Sequence, residues 1–232
     1  MKKKALINFI VLICLILSCF LLTSCNGSSQ TEYDIVKKTK MENFELLNRS
    51  AKENQVVFIG DSIIELFPTY ELFADKDKIV YNRGISGDTS DRMLERMDKN
   101  CLNINPNVVY ILVGTNDIAK NIDHSTIIDN ISKSIDKCKE NGVQKIIVSG
   151  LYPVNKAINS NMVGSRTNEE ILELNSKLQV LVKNKSVVYS DVFDCLKDSQ
   201  GNFDKEYTYD GLHPNAKGYL VITNTIMPLI FE

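Results

Sequence analysis

Gln55-Val56-Val57-Phe58-Ile59-Gly60, followed at once by Asp61-Ser62, is the stretch that decides the fold of this chain. Val56 to Ile59 is a short, unbroken run of β-branched and aromatic residues. A strand that alternated apolar and polar would bury one face; this one offers two apolar faces, which fits a parallel sheet covered by helices on both sides. Working outward, similar runs recur at Ile79 to Asn82, at Asn107 to Val113, at Lys145 to Ser149 and at Ser186 to Ser190. Helical patterns fill the gaps. Thr89 to Asn100 reads as a helix with Met93, Leu94 and Met97 turned inward. Ser125 reads as the cap of a helix running to Asn141, with Gly142 as its stop. Asn168 to Lys183 places Ile171, Leu174, Leu178 and Leu181 on one face. Pro214 introduces a closing helix from Asn215 to Ile226, and Met41, Phe44, Leu47 and Ala51 mark an opening one from Asp34 to Lys52. Strands alternating with helices imply a single α/β domain, a three-layer α/β/α sandwich on a five-stranded parallel sheet. In such sheets ligands bind beyond the carboxyl ends of the strands.

The N-terminus reads differently. Lys2-Lys3-Lys4 precede an apolar run from Phe9 to Leu22, short for a membrane span and suited to a signal-peptide core. Leu22-Thr23-Ser24-Cys25 then matches a lipobox, whose cysteine takes lipid and becomes the new N-terminus; an uncleaved membrane anchor is the alternative. The expected organisation is a lipoprotein signal peptide over residues 1–24, a lipidated tether over 25–31 that includes the polar stretch Asn26 to Thr31, and the α/β domain over 32–232. The expected location is the extracytoplasmic side of a bacterial cell membrane. Without the three leader lysines, 24 Lys+Arg face 29 Asp+Glu, a formal charge of -5. That surface disfavours nucleic acid as a partner. Of six cysteines, Cys101, Cys138 and Cys195 remain in the domain at unrelated spacings. No C-x-x-C occurs, so they read as small buried apolar groups, with one disulfide left open.

Four short motifs sit after strand-like runs or in the last loop: Gly60-Asp61-Ser62-Ile63, Asn82-Arg83-Gly84-Ile85-Ser86-Gly87-Asp88, Gly114-Thr115-Asn116-Asp117 and Asp210-Gly211-Leu212-His213-Pro214. The topology brings all four to one sheet edge. A serine hydroxyl needs a base to become a nucleophile. Only His124 and His213 are available, and Asp210, three residues before His213, can fix that ring's tautomer and orientation. The oxyanion that forms on a substrate carbonyl needs preoriented donors: the backbone N–H groups of Ser62 and Gly87 and the side-chain amide of Asn116 are the candidates. Gly84 reads as a turn glycine, Asp61 and Asp117 as loop-bracing acceptors, and His124 as a surface residue beside a helix start. Arg83, Asp88 and Arg92 read as an ion-pair network. No H-E-x-x-H, G-x-G-x-x-G, Walker A or G-x-S-x-G sequence occurs, so no metal and no cofactor are expected and the α/β-hydrolase fold is disfavoured.

These motifs resemble the four blocks of the SGNH hydrolases, also called GDSL lipases or esterases, from about Gln55 to the C-terminus and in the family's order. Ile63 stands where the family name has leucine. The likeness is greatest to the branch with platelet-activating-factor acetylhydrolase-like and carbohydrate-esterase-like members. The resemblance implies a flavodoxin-like strand order, Ser62, Asp210 and His213 as catalytic triad, and Ser62, Gly87 and Asn116 as oxyanion hole, with Gly87 rather than Gly84 as its glycine. It implies hydrolysis of carboxylic esters, with activity falling as His213 protonates. The long polar segment Tyr152 to Thr167 carries Asn155, Asn159, Asn161 and Arg166 and little large apolar surface. That points to short acyl groups on small-molecule, carbohydrate or cell-envelope esters rather than to a lipid lid. A lysophospholipase-like activity is the rival within the enzyme class. A surface-tethered binding module with an idle triad is the rival outside it. Oligomeric state has no sequence signal.

Overall fold

The computed structural model describes residues 34–232, so the expected signal peptide, Cys25 and the tether lie outside the described residues. The chain divides into two compact units, one ending at Asn43 and one running from Phe44 to Glu232. Described residues of the first unit, 34–43, are helical. The second unit opens with helical residues 44–48 and carries everything that follows. Here one expectation fails: Phe44 is buried but Leu47 is exposed, so the inward face is narrower than the spacing suggests.

Five strands form one sheet: β1 (Val56–Gly60), β2 (Val80–Gly84), β3 (Val108–Leu112), β4 (Lys145–Ser149) and β5 (Val188–Ser190). The order is β2-β1-β3-β4-β5 and every pairing is parallel. This is the flavodoxin-like order, with its switch point at β1. Every residue of β1 and of β3 is buried, as their unbroken apolar runs require. The helices are α1 (Ser62–Glu65), α2 (Thr69–Leu72), α3 (Ser90–Asn100), α4 (Thr115–Ala119), α5 (His124–Glu140), α6 (Ser160–Val163), α7 (Asn168–Lys185), α8 (Phe193–Leu196) and α9 (Ala216–Phe231).

Phe58 of β1 pairs in register with Tyr110 of β3, and their rings stack at 4.7 Å. Phe67 and Phe73 meet Phe58 edge-on at 5.4 and 5.6 Å, and Tyr219 of α9 packs on Phe67 at 4.7 Å. This aromatic cluster cements α9 to one face of the sheet. Alternation sends Val57, Ile59, Val109 and Ile111 to the opposite face, which α3, α5 and α7 cover side by side.

The differences from the sequence reading sit at ends and caps. α5 starts at His124, with Asp123 rather than Ser125 at its N-cap position and no side-chain capping bond from it. α7 runs two residues past Lys183, and α9 passes Ile226 to reach Phe231, with Pro228 inside it. Proline lacks an N–H, and burial of Ile226 and Ile230 outweighs the lost bond. The thiols of Cys101, Cys138 and Cys195 are all free.

Candidate active site

Three neighbouring strands deliver the site. β1 ends at Gly60 opposite Gly84 of β2 and Leu112 of β3, so the loops that follow leave the sheet at one level. Asp61 caps α1: its Oδ1 accepts the Ile63 N–H at 2.9 Å. That turn places Ser62 at the first helical position. Neither the Ser62 nor the Gly87 backbone N–H finds an acceptor among the described residues.

His213 comes from the opposite end of the chain. Its Nε2 lies 2.9 Å from Ser62 Oγ and its Nδ1 lies 2.7 Å from Asp210 Oδ2. Asp210 Oδ1 accepts the backbone N–H groups of Leu212 (3.0 Å) and His213 (2.7 Å). Burial pushes the Asp210 carboxyl up, but these hydrogen bonds, with the ring's own, outweigh it and hold the group below its ordinary value. A carboxylate beside Nδ1 makes that nitrogen the donor, which leaves Nε2 to accept from the serine hydroxyl. All three residues are buried, with less than a tenth of each exposed. The loop's shape has local causes. Thr208 Oγ1 accepts from Gly211 N (2.9 Å) and donates to the His213 carbonyl (2.7 Å). Gly211 sits at φ +80, and a Cβ there would stand 2.3 Å from the Asn155 carbonyl, so both conformation and space exclude a side chain.

Asn116 of α4 donates from Nδ2 to the Asp88 carbonyl at 3.0 Å, which ties it to the residue after Gly87. Gly87 itself has φ +76, a left-handed position natural to glycine. Asp117 accepts from Ser90 N at 3.0 Å and Ser90 Oγ at 2.6 Å, so it braces two motifs as expected. Asp61 is also a brace, but its Oδ2 has no hydrogen-bond partner and burial pushes its carboxyl up to about 7.

Other expectations need correction. Gly84 is no turn glycine: it ends β2, and a Cβ there would stand 2.1 Å from Glu65 N of α1. Asp88 pairs with Arg96 at 2.6 Å, both fully buried, and Arg96 also donates to the Gly60 carbonyl at 2.9 Å. Arg83 belongs elsewhere, donating to Asn48 Oδ1 at 2.8 Å with its guanidinium over the Phe44 ring. His124 is not at the open surface. Its side chain is only 12% exposed, against Lys177, Glu170 and Glu173 of α7.

Two buried arginines went unassigned in the sequence reading. Arg96 falls on the Met93–Met97–Asn100 face of α3, so a cation on an apolar stripe was the available signal. Arg166 carried none. It closes the 152–167 segment and reaches the Thr115 carbonyl (2.8 Å), the Val163 carbonyl (2.9 Å) and Asn116 Oδ1 (2.9 Å). The same segment touches the Asp210–His213 loop, where Asn155 N donates to the Gly211 carbonyl at 2.8 Å. Beside His213, the exposed Tyr209 ring lies nearly parallel to the imidazole, with centroids 6.0 Å apart. It lines a cleft of about 350 Å³ with Leu66, Pro68, Pro214 and Tyr219.

The family model of the GDSL-like lipase/acylhydrolase family matches residues 58–221. The chain is 29% identical over 196 residues to the platelet-activating factor acetylhydrolase IB subunit alpha2 of Rattus norvegicus, covering 81% of this chain and 80% of that one. It is 34% identical over 182 residues to an N-acylneuraminate cytidylyltransferase of Escherichia coli. That match covers 76% of this chain but only 40% of the larger relative. Among solved structures, a Streptococcus pneumonia protein described as a platelet activating factor superposes with a TM-score of 0.82 at 31% identity, covering 88% of this chain and 98% of that one.

Proposed function

The chain belongs to the GDSL-like lipase/acylhydrolase family of ester-cleaving hydrolases, and on that premise we propose that it is a serine esterase working through Ser62, His213 and Asp210. The observation that carries this reading is the relay from Ser62 Oγ to His213 Nε2 (2.9 Å) and from His213 Nδ1 to Asp210 Oδ2 (2.7 Å). As Ser62 Oγ bonds to the ester carbonyl carbon, its proton passes to Nε2, and Asp210 stabilises the imidazolium. Charge moves onto the carbonyl oxygen, which the N–H groups of Ser62 and Gly87 and the Asn116 amide receive. The tetrahedral adduct collapses, the C–O bond breaks, and His213 gives its proton to the departing alcohol. Water then repeats the sequence on the acyl-serine and releases the acid. Ser62→Ala should abolish hydrolysis of p-nitrophenyl acetate and labelling by a fluorophosphonate probe without lowering Tm. Retained activity in that variant sinks the assignment, and absent labelling of the wild type favours an idle binding module instead.

For substrate we propose short acyl esters, acetyl above all, on carbohydrate or cell-envelope polymers. The polar 152–167 segment beside the site supports this, as does a relative named for acetyl hydrolysis. A chain-length series of chromogenic esters, run beside an acetylated polysaccharide and a lysophospholipid, tests it. Rates that rise beyond butyryl point to the lipid alternative. We further propose lipidation at Cys25 and an extracytoplasmic location, supported by the leader sequence alone. Metabolic labelling with a radioactive fatty acid should mark the wild-type protein and leave Cys25→Ala unlabelled; a wild type without label, or a Cys25→Ala variant with it, overturns the anchor.

A further inference from the structure

Asn116 can stabilise an oxyanion in only one of its two amide orientations. Rotation by half a turn about its last side-chain bond exchanges the NH₂ for the carbonyl oxygen, and an oxygen facing the oxyanion repels it. Something must choose between the two. Two one-sided partners do so here. The Asp88 carbonyl, an acceptor only, takes one Nδ2 hydrogen at 3.0 Å. Arg166 Nη2, a donor only, gives to Oδ1 at 2.9 Å. The second Nδ2 hydrogen has no acceptor among the described residues, which leaves it for substrate.

The guanidinium is itself rigidly held. Its Nε donates to the Thr115 carbonyl at 2.8 Å and to Thr115 Oγ1 at 2.9 Å, and its Nη1 donates to the Val163 carbonyl at 2.9 Å. Every nitrogen therefore has a protein acceptor. Only 6% of the residue is exposed, and no carboxylate hydrogen-bonds it among the described residues. Its hydrogen bonds all go to neutral groups, and the carboxyl whose field reaches it, Asp61, is itself pushed up to about 7 by burial; a buried cation so placed is a costly way to brace a loop. Its charge gains a use when negative charge develops one amide away. The hydrogen bond to Oδ1 also polarises the amide and strengthens its N–H as a donor.

We propose that Arg166 is a positioning residue of the esterase, clamping the Asn116 carbonyl so that its amide N–H faces the oxyanion. This rests on the oxyanion role assigned to Asn116 above. The clamp comes from the 152–167 segment, so the same segment that borders the substrate also sets a catalytic donor.

A double-mutant cycle on the full domain with p-nitrophenyl acetate tests it, using Arg166→Met, Asn116→Ala and the pair. Removing an oxyanion donor costs roughly 10²–10³ in kcat, so Asn116→Ala should fall in that range. Arg166→Met should lower kcat about 10- to 100-fold with KM changed less than about twofold, a loss confined to the transition state. In the Asn116→Ala background the arginine change should cost less than about threefold. Arg166→Lys should recover part of kcat, since an ammonium can still donate to Oδ1. If Arg166→Met does not fold, Arg166→Lys takes its place in the cycle. Fully additive losses overturn the clamp while leaving the oxyanion reading intact. An Asn116→Ala variant with unchanged kcat overturns the oxyanion reading itself. Loss of loop bracing alone would lower Tm equally in both backgrounds and give additive kcat.

Discussion

Replacing Gly84 by alanine adds one methyl group and should disable the enzyme. An ideal Cβ at Gly84 stands 2.1 Å from Glu65 N and 2.6 Å from both Glu65 Cα and the Ile64 carbonyl carbon. These are backbone atoms of α1, so no rotamer change relieves them. Taking Glu65 N from 2.1 Å to an ordinary 3.4 Å contact moves α1 by about 1.3 Å. The helix is tied in place by the Asn82 amide, which donates to the Ile64 carbonyl at 2.5 Å, and it begins with Ser62. A shift of that size opens the 2.9 Å contact between Ser62 Oγ and His213 Nε2, and a misplacement of about 1 Å can cost on the order of 10²-fold in rate. Overpacking of this kind also costs about 1–3 kcal/mol of stability. The assay is kcat/KM on p-nitrophenyl acetate, with the rate of fluorophosphonate labelling and Tm measured on the same preparation. Gly142→Ala is the control: nothing lies within 4 Å of its Cβ, and only its φ of +79 opposes a side chain. It should lose about 1 kcal/mol and no activity. A Gly84→Ala protein with wild-type kcat/KM refutes the reasoning that this glycine exists to let α1, which carries Ser62, lie on β2.

Arg96→Met should cost about 3–5 kcal/mol, because it strips the buried Asp88 of a 2.6 Å charge-assisted bond and the Gly60 carbonyl of a donor. That is a fall of roughly 6–20 °C in Tm for a domain of this size; a calorimetric change under about 2 °C contradicts it. Asp61→Asn should stabilise the protein at pH 8. Burial pushes this carboxyl up to about 7, so the folded state keeps a proton that the unfolded chain releases near 4, and stability falls as pH rises between those values. Asparagine keeps the bond to Ile63 N and cannot ionise, so Tm measured from pH 4 to 8 should lose that downward component, worth on the order of 4 kcal/mol at most; an unaltered profile argues against a neutral Asp61. Tyr209→Ala should raise KM about 2- to 10-fold for esters of ring-bearing alcohols, the scale of one aromatic contact. Alcohols too small to reach the ring should show no change, and fluorophosphonate labelling should be intact; equal effects on both alcohol classes exclude the cleft beside His213 as the alcohol site.

The strands and the Asp210–His213 pairing were legible because each rests on local chemistry. Val56–Ile59 and Val108–Leu112 are apolar on both faces, and no partner's identity is needed to call them buried. Asp210 and His213 lie three residues apart in one turn, so a single loop holds most of their geometry. Helix ends were less legible. Asp123 and Ser125 are both competent caps, and the final turns of α7 and α9 depend on what they pack against.

Long-range pairing decided the rest. Arg83 and Arg92 were the cations the sequence offered to Asp88, and the fold adds Arg96, eight residues on, at 2.6 Å. Gly84 resembled a turn because glycine serves both flexible and crowded backbone; the crowding comes from a helix nearly twenty residues away in sequence. Arg166 reads as one more cation in a polar loop until the fold sets it against Asn116, fifty residues earlier in the chain. The sequence by itself determined the strand pattern and which groups are chemically competent to serve as nucleophile, base and carboxylate partner, since that competence is set by residue type and local spacing. Tertiary structure decided which groups hold them still, because a buried donor or methyl-sized gap acquires its meaning only from the atoms that another part of the chain brings to it.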